Sequence, residues 1–238
     1  MDYHEALAKL GIGSAHPGGF SSTRRALREA GIRPGQRVLE VGCGTGRTAC
    51  ELAIRYQACV TALDLRPSML EKANQRANEN GAQIEFKRVI GKRLPVLDAS
   101  FDFVIVESVT VFNSIARMLS EYARVLVPGG YVLDTEMCAA ATLPTEVKRA
   151  FATTYGATAV PTMSEWKDLF HQAGFADTRI VHSGSVQSGI GQEEEPDLWG
   201  LSHSETTGKE VWSIIEENQR VMSQYAHWLQ YATFKAMR

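Results

Sequence analysis

The sequence predicts an α/β fold built on a doubly wound, mostly parallel sheet, and three observations carry that prediction. Short apolar runs alternate with segments of helical length across residues 36–136. This is the rhythm of right-handed crossovers between parallel strands. The run Val38-Leu39-Glu40-Val41 opens directly into Gly42-Cys43-Gly44-Thr45-Gly46, a buried strand feeding a turn stripped of side chains. At 238 residues, 44% of them apolar and 22% charged, the chain is long enough for one sizeable α/β core.

The elements follow in order. Residues 3–10 read as a short helix, and the glycine- and proline-containing loop 11–19 reads either as a frayed terminus or as a lid, with Tyr3, His4, His16 and Phe20 near a ligand. Ser21 and Ser22 are candidate N-caps for a helix through Ala30, ended by Gly31. After the Pro34-Gly35 turn comes the first strand, then the glycine turn and a helix over 45–56. A second strand covers 58–63 and ends at Asp64; Pro67 opens a helix to about residue 80, closed by Gly81. Strands over 84–89 and 101–106 follow, then a helix over 114–126 that stops before Pro128-Gly129-Gly130, then a strand over 131–134.

The second half departs from that rhythm. Helices are expected over 146–155 and 164–173, the latter capped by Ser164 with Trp166, Leu169 and Phe170 on its apolar face. A strand over 178–181 leads into a polar stretch, 184–207, with the acidic run Glu193-Glu194-Glu195 reading as a solvated loop. A helix over 209–228 and a last strand over 231–237 complete the chain.

The formal net charge is −2 and the basic residues are scattered, so no nucleic-acid track is expected. No apolar run reaches the roughly 20 residues of a membrane span. No basic n-region followed by an apolar run marks a signal peptide, and the expected location is cytoplasmic. Cys43, Cys50, Cys59 and Cys138 form no C-x-x-C pair or zinc spacing, so free thiols and no metal are expected.

The chemistry gathers at the glycine turn. It is neither a G-x-G-x-x-G fingerprint, because Arg47 stands where the third glycine belongs, nor a phosphate-binding P-loop. Asp64, at the end of the second strand, is placed to accept hydrogen bonds from both hydroxyls of a ribose. Glu40 is a carboxylate that can meet a cationic group. The inferred ligand carries a ribose and no long polyphosphate, with the N-terminal N–H groups of the 45–56 helix aimed at it.

Residues 38–46 resemble motif I of the class I S-adenosylmethionine-dependent methyltransferases. Asp64-Leu65-Arg66-Pro67-Ser68-Met69-Leu70 is similar to their acidic segment after motif I. Leu94-Pro95, followed by Asp98-Ala99-Ser100-Phe101-Asp102, resembles the run before the fourth strand. The run from Glu121 through Val127-Pro128-Gly129-Gly130 is similar to the helix and turn before the fifth.

The resemblance is to UbiE-like small-molecule members (methyltransferase type 11). It implies a Rossmann-like seven-stranded sheet with a C-terminal antiparallel strand, an N-terminal lid and helical insertions. One domain is expected over 1–238, with a flap at 1–20, a cofactor core at 36–136 and a substrate-shaping half at 137–238. The implied cofactor is S-adenosyl-L-methionine. Glu40 and the backbone around Gly42, Cys43, Gly44 and Gly46 would hold the methionine moiety, Asp64 the ribose, and Leu65 would pack near the adenine. Ile90 stands in a slot that is often acidic, so adenine recognition is assigned to the Gly91 backbone and to apolar packing by Ile90.

A general base is required only if the acceptor must lose a proton. The candidates are Glu107, His16, His182 and His203, and Glu107 equally borders the cofactor. The expected partner is a small-molecule acceptor attacked in line, with monomer and homodimer both open. Two competitors are a nicotinamide-dependent oxidoreductase, for which Tyr231 and Lys235 supply a Y-x-x-x-K, and a non-catalytic S-adenosylmethionine-binding module.

Overall fold

The computed structural model describes residues 3–157, 159–189, 196–200 and 208–238. The chain runs α1 (Tyr3–Leu10), α2 (Gly19–Ala30), β1 (Arg37–Val41), α3 (Arg47–Ile54), β2 (Cys59–Asp64), α4 (Pro67–Glu79), β3 (Ile84–Arg88) and β4 (Phe101–Glu107). A 3-10 turn, Thr110–Phe112, precedes α5 (Ile115–Val125) and β5 (Leu126–Ala139). Then come α6 (Thr145–Tyr155), α7 (Met163–Gln172), β6 (Asp177–Ser185), α8 (Val186–Gly189), α9 (Lys209–Tyr225) and β7 (Leu229–Met237).

The seven strands lie in the order β3-β2-β1-β4-β5-β7-β6, parallel except for β7, which is antiparallel to both neighbours. The chain winds outward one way from β1 and the other way from β4. A crevice therefore opens between the carboxyl ends of these two strands.

Alternation along the strands sorts the core into two layers. Leu39, Val41, Val104, Val106 and Val132 face α5 and α7, where Trp166, Phe170 and Phe234 pack with ring centroids 5.6–6.2 Å apart. Val38, Val60, Ala62, Phe103, Ile105 and Leu133 face α2, α3 and α4. A further apolar cluster joins α1 to α4 and α9 through Leu7, Met69, Val211 and Ile215. The N-terminal helix is thereby docked beside the crevice.

Three local expectations are corrected. The chain enters α2 two residues before Ser21, through Gly18 at φ +87°, because Gly18 lies against the Tyr231 ring where a Cβ would come within 2.5 Å. The cap of α7 is Thr162, not Ser164. The Thr162 hydroxyl accepts from the Glu165 N–H while the Glu165 carboxylate accepts from the Thr162 N–H, a reciprocal capping box. β5 continues five residues beyond Asp134 because β7 pairs with it as far as Ala139.

Candidate functional site

β1 delivers the chain to the crevice and the glycines let it turn. Gly42 (φ +75°) has no room for a side chain, since a Cβ there would lie 2.2 Å from Val109 Cγ2. Gly44 (φ +51°) is the opposite case: nothing lies within 4 Å of where its Cβ would be, and that open space belongs to a cavity of about 660 Å³. Most N–H groups of the turn itself are engaged within the protein. The N–H groups of Gly42 and Cys43 share Leu63 O at 2.8 and 2.9 Å, Gly44 N–H donates to Asp64 Oδ2 at 3.0 Å, and Gly46 N–H to Cys43 O at 2.9 Å. With these donors engaged, the turn supplies shape rather than positive charge.

The cavity's electrostatics are set by three carboxyls from three adjacent strand ends. Glu40, at the end of β1, is only 4% exposed, and its Oε2 has no hydrogen-bond partner. Burial, with the nearby Glu107 and Asp64 carboxylates adding to it, pushes its pKa well above the ordinary value. Asp64 accepts from Gly44 N–H and, at 2.8 Å, from Arg66 N–H. Burial raises its pKa and those bonds oppose the rise. Glu107 ends β4 on the α2–α3 side, where it accepts the hydroxyls of Thr23 from α2 and Thr48 from α3, the latter at 2.8 Å. His16 Nε2 lies 3.4 Å from Glu107 Oε1 and 3.1 Å from Thr23 Oγ1, and His16 Nδ1 lies 3.2 Å from Pro17 O.

The structure thus gathers Glu40, Gly42, Cys43, Gly44, Asp64, Leu65, Gly91, Glu107 and His16 around one cavity. Gly46 stands just behind it, closed against Ala73. Two sequence expectations fall outside. Ile90 is 78% exposed and does not line the cavity; the chain turns outward there, and Val89 and Leu94 supply the apolar wall instead. His182 sits on β6, where its Nε2 lies 3.1 Å from the Tyr231 hydroxyl, and burial lowers its pKa. His203 lies outside the described residues. Tyr231 and Lys235 do not reach the cavity either: Lys235 Nζ donates to Ala30 O at 3.0 Å and stacks on Tyr131.

Sequence reasoning did not single out Thr23 and Thr48, whose only signal is the helix packing that brings them to Glu107. It also missed apolar residues that line the cavity: Leu7 of α1, Phe112, Met118 of α5, Met137 of β5 and Met222 of α9. Thioether side chains adapt to ligand shape. The arrangement suits a ligand with a cationic group at Glu40, paired hydroxyls at Asp64 and an apolar neighbour in the same cavity.

Behind the turn, Arg76 of α4 is fully buried. It donates to Thr45 O at 2.7 Å, Gly11 O at 3.1 Å, Trp199 O at 2.8 Å and Asp197 Oδ2 at 2.6 Å. Arg47 pairs with Asp197 Oδ1 at 3.3 Å and stacks on Phe20.

A family model described as a methyltransferase domain matches residues 38–130. Over 237 residues the chain is 31% identical to uncharacterized methyltransferase YodH of Bacillus subtilis (strain 168), covering 99% of both chains. It is 32% identical over 162 residues to O-methyltransferase rstn1 of Aspergillus nomiae, covering 65% of this chain and 72% of that one. Among solved structures, phosphoethanolamine N-methyltransferase 2 of Haemonchus contortus, in complex with S-adenosyl-L-methionine, has the same fold, with a TM-score of 0.78 at 20% identity. That match covers 99% of this chain but 56% of the nematode chain.

Proposed function

The chain belongs to the class I S-adenosylmethionine-dependent methyltransferases, and from that premise we propose that it methylates a hydroxyl group of a small, largely apolar acceptor. The cofactor is S-adenosylmethionine, which supplies a methyl group already activated by a sulfonium. The observation that carries the assignment of its site is the unpartnered Oε2 of Glu40, buried in the cavity within the field of Asp64 and Glu107. An α-ammonium group fits that oxygen, and a ribose fits Asp64. The space beside Gly44 accommodates the ligand's backbone-hugging part, and Val89, Gly91 and Leu94 offer a shallow wall for the adenine beside Leu65.

The acceptor reading draws support from the apolar side chains that line the cavity and from the O-methyltransferase relative. The chain's main tasks in an in-line displacement are to align the acceptor and keep water out. α1 and the loop through Pro17 form the roof that does so. His16 lines the cavity beside Glu107, with Nε2 and Oε1 3.4 Å apart, and the pair is placed to take up a hydroxyl proton between them.

Isothermal titration with S-adenosylmethionine and with NADH tests the cofactor site. The expected result is binding of the first alone, and binding of NADH alone overturns the reading. A methyl-transfer screen over phenols, alcohols, amines, thiols and carboxylates then tests the acceptor. Turnover confined to amines or thiols rules out the hydroxyl, and no turnover with any acceptor favours the non-catalytic module. Asp64→Ala is expected to weaken S-adenosylmethionine binding by about 1–3 kcal/mol, the cost of leaving hydrogen-bonding groups unmatched; unchanged affinity in the same titration misplaces the ribose. His16→Asn is expected to lower kcat about a hundredfold while S-adenosylmethionine affinity stays close to native. Equal losses in both would make His16 a cofactor ligand instead.

A further inference from the structure

A second pair of acids lies next to the cavity, and the reading above gives it no work. Asp134 and Glu136 are two residues apart on β5, hence on one face of the strand, and both are fully buried. Asp134 Oδ1 and Glu136 Oε2 receive no N–H or hydroxyl donor, and each carboxyl stands in the other's field. Burial raises the pKa of Glu136, and burial with the Glu136 carboxylate beside it pushes that of Asp134 well up. Asp134 Oδ2 accepts the Thr110 hydroxyl at 3.0 Å. Glu136 Oε1 accepts the N–H groups of Val109 at 2.8 Å and Thr110 at 2.7 Å.

Those two N–H groups open the 3-10 turn, at the point where β4 leaves the sheet. Ser108 N–H donates to Thr135 O at 2.8 Å, continuing the β4–β5 pairing by one residue. Ser108 itself then takes φ +54°, a conformation L side chains rarely adopt. The chain that follows forms a wall of the cavity: Val109 and Phe112 line it, and Val109 Cγ2 fills the space over Gly42. A buried acid pair is costly, and apolar residues of similar volume would fill the same space more stably. Its geometric product is the placement of this wall.

We propose that Glu136 is a positioning residue that sets the 108–112 wall of the cofactor cavity by holding the N–H groups of Val109 and Thr110. The proposal rests on the methyltransferase reading, since contact of the bound cofactor with that wall is what makes the positioning measurable. Without any acceptor the two N–H groups lose their partner, and the wall is free to leave Gly42.

The test is calorimetric titration of S-adenosylhomocysteine into native protein, Glu136→Met and Glu136→Gln, each verified as folded by circular dichroism. Methionine keeps the length and removes the acceptor; glutamine keeps an acceptor oxygen. The expected result is an affinity about tenfold or more weaker for Glu136→Met and within about threefold of native for Glu136→Gln. A residue that merely fills the core would not be rescued by the amide in this way. A folded Glu136→Met that binds as tightly as native overturns the proposal. So does a Glu136→Gln that loses more than about tenfold, and this variant decides alone if the methionine variant does not fold. Native protein that binds neither S-adenosylmethionine nor its demethylated product overturns the methyltransferase reading itself, a separate outcome.

Discussion

Glu40→Gln is expected to lower the affinity for S-adenosylmethionine by about 2–4 kcal/mol, the usual loss when one member of a buried charge pair is truncated, while raising the melting temperature of the ligand-free protein. Both effects have one source. The carboxyl is buried, its Oε2 has no partner, and Glu107 and Asp64 stand nearby. In the free protein this arrangement is a cost. With an ammonium group against it, the same arrangement becomes the attraction. The sign with pH follows. Its folded pKa lies above the ordinary value near 4.5, so its contribution to stability is fully present below that value and is lost as pH rises through the folded pKa. Melting temperatures of the free native protein should therefore fall with rising pH more steeply than those of Glu40→Gln. Cofactor affinity of the native protein should fall as pH is lowered and the carboxyl protonates. Calorimetry and thermal scans across acid and neutral pH measure all three. A glutamine variant with native affinity would mean that the ammonium lies elsewhere.

Arg76→Met is expected to be the most damaging single change to the fold around the site, at about 3 kcal/mol or more, the cost of breaking a buried ion pair. The guanidinium is fully buried and donates to carbonyls of Gly11, Thr45 and Trp199 as well as to Asp197. Asp197 is partly exposed, so solvent recovers some of its share, but the three carbonyls lose their donor outright. Arg76→Lys should rescue little, because one ammonium cannot span partners arranged around a planar fork. Urea unfolding measures the loss. Limited proteolysis should show earlier cutting near residues 11 and 197 than elsewhere, and a uniform digestion pattern with native stability would refute this account.

Much of the fold is legible in the sequence because its signals are local. The apolar run of β1, the glycines after it, the aspartate closing β2 and the proline opening α4 each act within a few residues. What escapes is decided by partners distant in the chain. The length of β5 depends on residues 229–237, which pair along it. An arginine in the slot of a missing glycine reads as the end of a dinucleotide motif. Only the packing shows that Arg47 stacks on Phe20 and pairs with Asp197. Thr23 and Thr48 become donors to Glu107 because α2 and α3 cover the same face of the sheet. Ile90 turns outward because a residue's side is set by where its strand ends, which sequence reads only to within a few positions. Glu136 lies beyond the 131–134 strand expected from sequence, and nothing local marks Asp134 and Glu136 as buried partners of the turn after β4.

The strand order has a consequence for how the molecule is made. β7 is the last strand in sequence, yet it lies between β5 and β6, and its Thr233 meets Thr135 from 98 positions away. Such non-local pairing is slow to form, because a long loop must close before any contact rewards it. During synthesis the carboxyl-side edge of β5 therefore stands unpaired until residues 229–237 have been added. An open strand edge is a template for wrong pairing between chains. The cofactor half, whose strands β1 to β4 are contiguous in the chain, can assemble in that interval. The far half of the sheet is then closed by inserting one strand between two that already wait for it.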